Sequence, residues 1–196
     1  MRIIAGAWRG RTIYPPKGLD TRPTIDRVRE SLMSSLASLR GSFEDACVLD
    51  AFAGSGALGL EALSRGAAWA VFCEKDRTAL AALQRNMDIV GVSAQSTPGA
   101  VVKRGDVLTR IPGDVRRPFD LVLLDPPYAL ASSKVAAFLD ALAARDALAQ
   151  DAIVSYEHAA ADDVSDAFAA TAVSWEHVQS KRYGETAIDI FRRKEA

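Results

Sequence analysis

The tetrapeptide Asp125-Pro126-Pro127-Tyr128 closes an unbroken apolar run, Leu121-Val122-Leu123-Leu124. Each proline ring fixes φ and removes a backbone N–H, so the two prolines leave carbonyls and the Asp125 carboxylate as acceptors. Two convergent acceptors beside a flat phenol ring suit a planar, conjugated –NH2 group. One hydrogen goes to Asp125 and the other to the Pro126 carbonyl, while the ring carrying the amine stacks on Tyr128. Such an amine is a poor nucleophile because its lone pair is delocalised. Accepting both hydrogens favours a pyramidal nitrogen and frees the pair for attack on an electrophile. The chemistry expected of Asp125, Pro126 and Tyr128 is therefore placement and electrostatics.

A second cluster lies upstream. Asp50-Ala51-Phe52-Ala53-Gly54-Ser55-Gly56-Ala57-Leu58-Gly59 follows the short apolar run Cys47-Val48-Leu49. Gly54 to Gly59 fits the glycine fingerprint of adenosine-binding βα turns, and Glu74 stands 20 residues beyond Gly54, where a ribose-binding acid belongs. No Lys-Ser or Lys-Thr pair follows, so this is not a phosphate loop. Asp50 at the tip of the strand would repel a pyrophosphate and suits an ammonium, such as the methionine amino group of S-adenosylmethionine. Gly105-Asp106-Val107 then offers a carboxylate for an adenine amino group. Asp50, Gly54, Gly56, Glu74, Asp106 and Val107 form the expected cofactor set, with S-adenosylmethionine as co-substrate and no metal.

The elements that must carry these residues read as an alternation. Apolar strands at 47–49, 70–73, 101–102, 121–124 and 153–156 are separated by helices at 58–65, 77–90 and 133–144, with a shorter helix at 164–169. Strands apolar on both faces, alternating with helices, specify a mostly parallel α/β sheet covered on both sides. Two final strands, near 173–179 and 187–191, are joined by the short link Lys181 to Glu185 and form an antiparallel pair at one edge. Ahead of the core, Ile3-Ile4-Ala5 and Thr12-Ile13-Tyr14 suggest a hairpin. A helix follows with Ile25, Val28, Leu32, Leu36 and Leu39 on one stripe and Arg22, Arg27 and Arg29 on the other face. The division expected is a basic extension over 1–41 and a Rossmann-like core over 42–196.

Together these motifs resemble the class I S-adenosylmethionine-dependent amino-methyltransferases, in which [Asp/Asn/Ser]-Pro-Pro-[Tyr/Phe] marks methylation of an exocyclic base nitrogen. Over the whole chain the resemblance narrows. Arg2-Ile3-Ile4-Ala5-Gly6, Trp8-Arg9-Gly10-Arg11, Thr21-Arg22-Pro23-Thr24, Asp26 to Leu32, Asp50 to Ala62 and Tyr183-Gly184-Glu185-Thr186 are similar to the RsmD family. That resemblance implies a seven-stranded class I fold and methylation of guanine N2 at position 966 of bacterial 16S ribosomal RNA. It also implies the cofactor residues above, with Asp125 and Tyr128 at the base. Met33-Ser34, where the family has Phe-Asn, and an insertion over Ser93 to Gly99 depart from the pattern outside the motifs.

Charge agrees with a polyanionic partner. Of 24 basic and 25 acidic residues, eight basic and three acidic ones fall in residues 1–40, which leaves the remainder acidic. Asp125 lies only 69 positions beyond Gly56, the stretch between them consumed by sheet and helices, so no inserted recognition domain fits there. Target choice then falls to the basic arm and to loops on the carboxyl edge, with Arg9, Arg11, Arg22 and Arg182 expected on phosphates. The partner expected is 16S RNA in a 30S or pre-30S particle. Two other readings compete: adenine-N6 or cytosine-N4 methylation, which uses the same tetrapeptide, and an NAD(P)-dependent oxidoreductase, which Asp50 argues against. No apolar run nears the ~20 residues of a membrane span, and the start lacks a secretory signal pattern. A cytoplasmic monomer is expected. Cys47 and Cys73 read as core residues, and His158 and His177 have no partner pattern.

Overall fold

The computed structural model describes residues 1–16, 26–112 and 116–194. The elements are α1 (Asp26–Arg40), β1 (Cys47–Asp50), α2 (Ala57–Ser64), β2 (Trp69–Glu74), α3 (Arg77–Val90), β3 (Gly99–Arg104) and β4 (Phe119–Leu124), then α4 (Ser132–Ala143), β5 (Leu148–Ala159), α5 (Ser165–Ala169), β6 (Trp175–Tyr183) and β7 (Thr186–Arg193). Among the described residues the strands form one seven-stranded sheet in the order β3-β2-β1-β4-β5-β7-β6. The first five strands are parallel, and β7 alone is reversed, antiparallel to both β5 and β6. This is the sheet the alternation specifies: β1 is buried along its whole length and β4 nearly so, as sheets covered on both faces require. The carboxyl ends of β1, β2, β3, β4 and β5 share one edge, where ligands bind in such folds. Because β6 runs with β5, its end and the turn into β7 reach that edge too.

Local chemistry sets where helices start and stop. Asp76 caps α3 by accepting from the N–H groups of Thr78 and Ala79 at 2.9 and 2.8 Å, and Gly91 ends it in the left-handed region. β5 begins at Leu148, earlier than its apolar run suggests, and a register shift between Phe119 and Leu121 accommodates the extra length. The last helix is the short Ser165–Ala169 turn, and β6 runs on to Tyr183.

The amino-terminal arm is tied to the core more closely than its sequence reading suggests. The expected hairpin is present but short: an antiparallel bridge between Arg2 and Thr12, with Ile3 N–H donating to the Arg11 carbonyl at 3.0 Å and Ile13 N–H to the Met1 carbonyl at 3.1 Å. Its outward N–H groups turn to the core instead: Ile4 and Ala5 donate to the two Glu61 oxygens at 2.8 and 3.0 Å, and Trp8 donates to Ser64 Oγ at 3.0 Å. Gly6 lies so close to α2 that a Cβ there would meet the Ser64 carbonyl. Arg29 is likewise no surface residue. It is fully buried and donates to the Arg2 carbonyl at 2.6 Å and to Asp26 at 2.8 Å. Ile3, Ile13, Leu32 and Leu36 join Val48 and Leu60 in one hydrophobic cluster, so the extension and the core differ in charge and share their packing. Arg22, with Thr21 to Thr24, lies outside the described residues.

Candidate active site

A cavity of about 540 Å³ opens on the carboxyl edge, within the ~300–1,000 Å³ of small-molecule sites. It brings together Gly54, Glu74, Asp106 and Val107 from one side of the sheet and Asp125, Pro126 and Tyr128 from the other. Two residues expected there are elsewhere. Gly56 opens α2 with φ +78°, and a Cβ on it would meet Leu83 Cδ1 at 2.4 Å, so its bareness serves packing. Asp50 is 1% exposed and accepts from the Gly59 N–H at 3.0 Å, beneath the cavity floor. Burial pushes its carboxyl up to about 7; the Gly59 bond opposes this and the charge of Glu74 adds to it. Asp50 thus holds the first turn of α2. Its carboxylate is not among the groups that line the cavity, where the sequence reading expected it to face an ammonium.

On the cofactor side the acids are already engaged. Glu74 accepts from Gly54 N–H at 2.8 Å through Oε2 and from the N–H groups of Lys75 and Asp76 at 2.7 Å through Oε1. Those three bonds lock the glycine turn to the start of α3. At Gly54 (φ +52°) no atom lies within 4 Å of where a Cβ would be, so this backbone lies open to a ligand. Asp106 accepts from Lys75 Nζ at 2.9 Å and from Leu108 N–H at 3.1 Å, which hold its carboxyl below the usual range.

The opposite side is built differently. Asp125 is half-buried, and no donor among the described residues hydrogen-bonds its carboxylate. Burial first, then the charges of Glu157 and Asp50, raise its carboxyl well above the usual carboxylate range. Tyr128 is 40% exposed, and its hydroxyl lies 2.6 Å from Thr186 Oγ1 and 3.4 Å from Glu157 Oε1. Glu157 lines the cavity and escaped the sequence reading. Its one cue is position: β4 pairs with β5 through Leu124 and Tyr156, so the next residue on each strand is an acid.

The arginines divide the same way. Arg182 is exposed on β6, one residue from the turn that meets Tyr128. Arg11 donates to the Ile89 carbonyl at 2.7 Å, roughly 18 Å along α3 from the Arg77 end that borders the cavity. Arg9 is exposed beside Ser64, at the end of α2 remote from the glycine turn. A groove adjoining the cavity instead gathers Lys75, Arg77, Arg85, Arg104 and Arg110. These cations come from the β2–α3 link, α3, the end of β3 and the loop beyond, and no single charge run in the sequence announces them.

The donor set fits S-adenosylmethionine: an open Gly54 backbone, carboxylates at the ends of β2 and β3, and an apolar lining from Phe52, Ala79 and Val107. With this strand order and Asp-Pro-Pro-Tyr at the end of β4, the fold and site define a class I methyltransferase. The model of the family described as conserved hypothetical protein 95 matches residues 1–192. The chain belongs to that family, that of ribosomal RNA small subunit methyltransferase D. It is 33% identical to that protein of Escherichia coli (strain K12) over 194 residues, covering 99% of this chain and 90% of the relative. The Haemophilus influenzae protein of the same name is 40% identical over 129 residues, 65% of this chain and 64% of that one. The solved structure of E. coli yhhF superposes with a TM-score of 0.79 at 34% identity, covering 100% of this chain and 99% of that chain.

Proposed function

We propose that this protein methylates the exocyclic N2 of a guanine in 16S ribosomal RNA, with S-adenosylmethionine as methyl donor. The relatives named as small-subunit rRNA methyltransferases support the substrate class. The observation that carries the chemistry is the half-buried Asp125 carboxylate, which lacks a hydrogen-bond donor among the described residues and shares one cavity with Gly54, Glu74 and Asp106.

When bound, S-adenosylmethionine supplies an electrophilic sulfonium methyl. Glu74 and the Gly54 backbone hold the adenosyl ribose, and Asp106 faces the adenine amino group. Asp125 and the Pro126 carbonyl accept the two hydrogens of the guanine amine, which orients its lone pair toward the cofactor side. Tyr128, steadied by Thr186, supplies the stacking face. Asp50 acts as a positioning residue, holding α2 and thereby the glycine turn. No neutral-range general base is required, since the amine proton leaves to solvent after transfer. Lys75, Arg77, Arg104 and Arg110 join Arg182 as candidates for phosphate contacts, with Arg9 and Arg11 reaching RNA farther from the reacting base and Arg22 a further candidate.

Among the described residues no helix is long and apolar enough to cross a membrane. The reading places the protein in the bacterial cytoplasm, acting as a monomer on the 30S subunit or its precursor. The test is transfer of labelled methyl to unmodified 16S RNA, naked and within 30S particles, followed by nucleoside identification. N2-methylguanosine is the expected product. 6-Methyladenosine or 4-methylcytidine would overturn the guanine assignment.

A further inference from the structure

The geometry points to Glu157 as the residue that selects guanine, by accepting the ring N1–H next to the amine held by Asp125. This deepens the guanine-N2 reading and rests on it.

Three observations carry the inference. First, position: β4 and β5 are parallel and paired through Leu124 and Tyr156. The next residues therefore stand side by side, Asp125 just past the end of β4 and Glu157 still within β5, and both line the cavity. Second, hydrogen bonding: among the described residues Glu157 Oε1 has only the Tyr128 hydroxyl at 3.4 Å, and Oε2 is shut off from solvent with no partner. Buried carboxylate oxygens ordinarily collect donors, as Glu74 does with three N–H groups on the other side of the same cavity. Third, surroundings: among the described residues the Asp125 carboxylate and the acceptor-only proline turn supply no donor to Glu157, which leaves it free to take one from a substrate.

The chemistry of the bases decides what that donor is. Beside its exocyclic amine, guanine carries N1–H, a donor. Adenine and cytosine carry at the corresponding place a ring nitrogen with a lone pair. With Asp125 and the Pro126 carbonyl engaged on the amine, an ionised Glu157 attracts the N1–H of guanine and repels the lone pair of the other two. The Asp-Pro-Pro-Tyr turn recognises an amine, and Glu157 adds which base bears it.

The test uses full-length protein and 16S RNA assembled by ligation, with guanine or 2-aminopurine at the position the wild-type protein methylates. 2-Aminopurine keeps the amine and lacks N1–H. Wild type is expected to prefer guanine in kcat/KM. Glu157→Gln, whose amide can donate to the bare ring nitrogen, is expected to lower the guanine-to-2-aminopurine ratio about 10- to 100-fold. It does so by losing rate on guanine and gaining it on 2-aminopurine. Glu157→Ala should collapse the same ratio without any gain on 2-aminopurine. Both variants should bind S-adenosylhomocysteine as wild type does. A ratio unchanged in either folded variant, with guanine still methylated, overturns the role of Glu157 alone. Wild-type transfer to adenine or cytosine overturns the guanine reading and this inference together.

Discussion

The two sides of the cavity present the same functional group in opposite states. On the side of the glycine turn, Glu74 is saturated by three backbone N–H groups and Asp106 by Lys75 and Leu108. Across the sheet, Asp125 has no hydrogen-bond donor among the described residues, and Glu157 has one long contact with Tyr128. Hydrogen bonds keep the Asp106 carboxyl low, whereas burial raises those of Asp125 and Glu157, and the charges of Glu157 and Asp50 add to it at Asp125. The difference assigns the work. Satisfied acids hold backbone in the shape a ligand needs, and unsatisfied ones wait for hydrogens that only a substrate brings.

The sharpest way to break this comparison is a reciprocal pair of variants. Asp125→Ala should lower single-turnover methyl transfer about 1,000-fold, the scale of removing a key electrostatic contact to a reacting group. Its affinity for S-adenosylhomocysteine by calorimetry should stay within a few-fold of wild type. Glu74→Ala should do the converse, weakening that affinity about 10- to 100-fold while saturating cofactor restores most of the rate. If both variants lose the same property, the two sides are not functionally distinct.

A smaller effect sharpens the account of Asp50, the acid beneath both sides. Its folded-state carboxyl titrates at about 7, above the value of ~3.9 in an unfolded chain. The native state therefore binds the extra proton, and stability is greatest at acid pH and declines as pH rises from about 4 to about 7. Asp50→Asn keeps an oxygen for the Gly59 N–H and removes the titration. Urea midpoints measured across that window should decline with pH in the wild type and flatten in the variant, a change of a few kcal/mol at neutral pH. A parallel decline in both would mean that Asp50 is not the group responsible.

Much of this architecture was legible from residue types. Alternating apolar runs and glycine-closed helices specify the sheet, because strands buried on two faces cannot hide polar residues. The glycine turn and Asp-Pro-Pro-Tyr declare their chemistry locally, since both act through backbone that adjacent residues control. What depended on tertiary approach was not legible. Asp50 stands at the strand tip as expected, yet side-chain direction is set by Gly59 across the turn. Arg29 lies on the polar side of a helical stripe and becomes buried only because the arm folds over it, with Arg2 and Asp26 as partners. His158 and His177 show no pattern in sequence, yet they close on the two oxygens of Asp189 at 2.6 and 2.7 Å across three strands. Burial would raise that carboxyl, but these bonds and one from Ser180 bring it down to about 2. Glu157 sits in β5 one residue past its last pairing with β4, where only the β4–β5 register makes it a neighbour of Asp125. The basic groove beside the cavity likewise draws on α3 and the end of β3, which are distant in sequence.

The division between held and waiting carboxylates can be read directly by NMR titration of the side-chain carboxyl carbons. The protein would be saturated with S-adenosylhomocysteine, with and without a guanine-bearing 16S fragment. The raised titrations of Asp125 and Glu157 should fall when the fragment binds, as its N–H groups stabilise the ionised forms, while Asp106 stays where it was. Unmoved titrations at Asp125 and Glu157, with the fragment demonstrably bound, would contradict the claim that these two acids receive the hydrogens of the base.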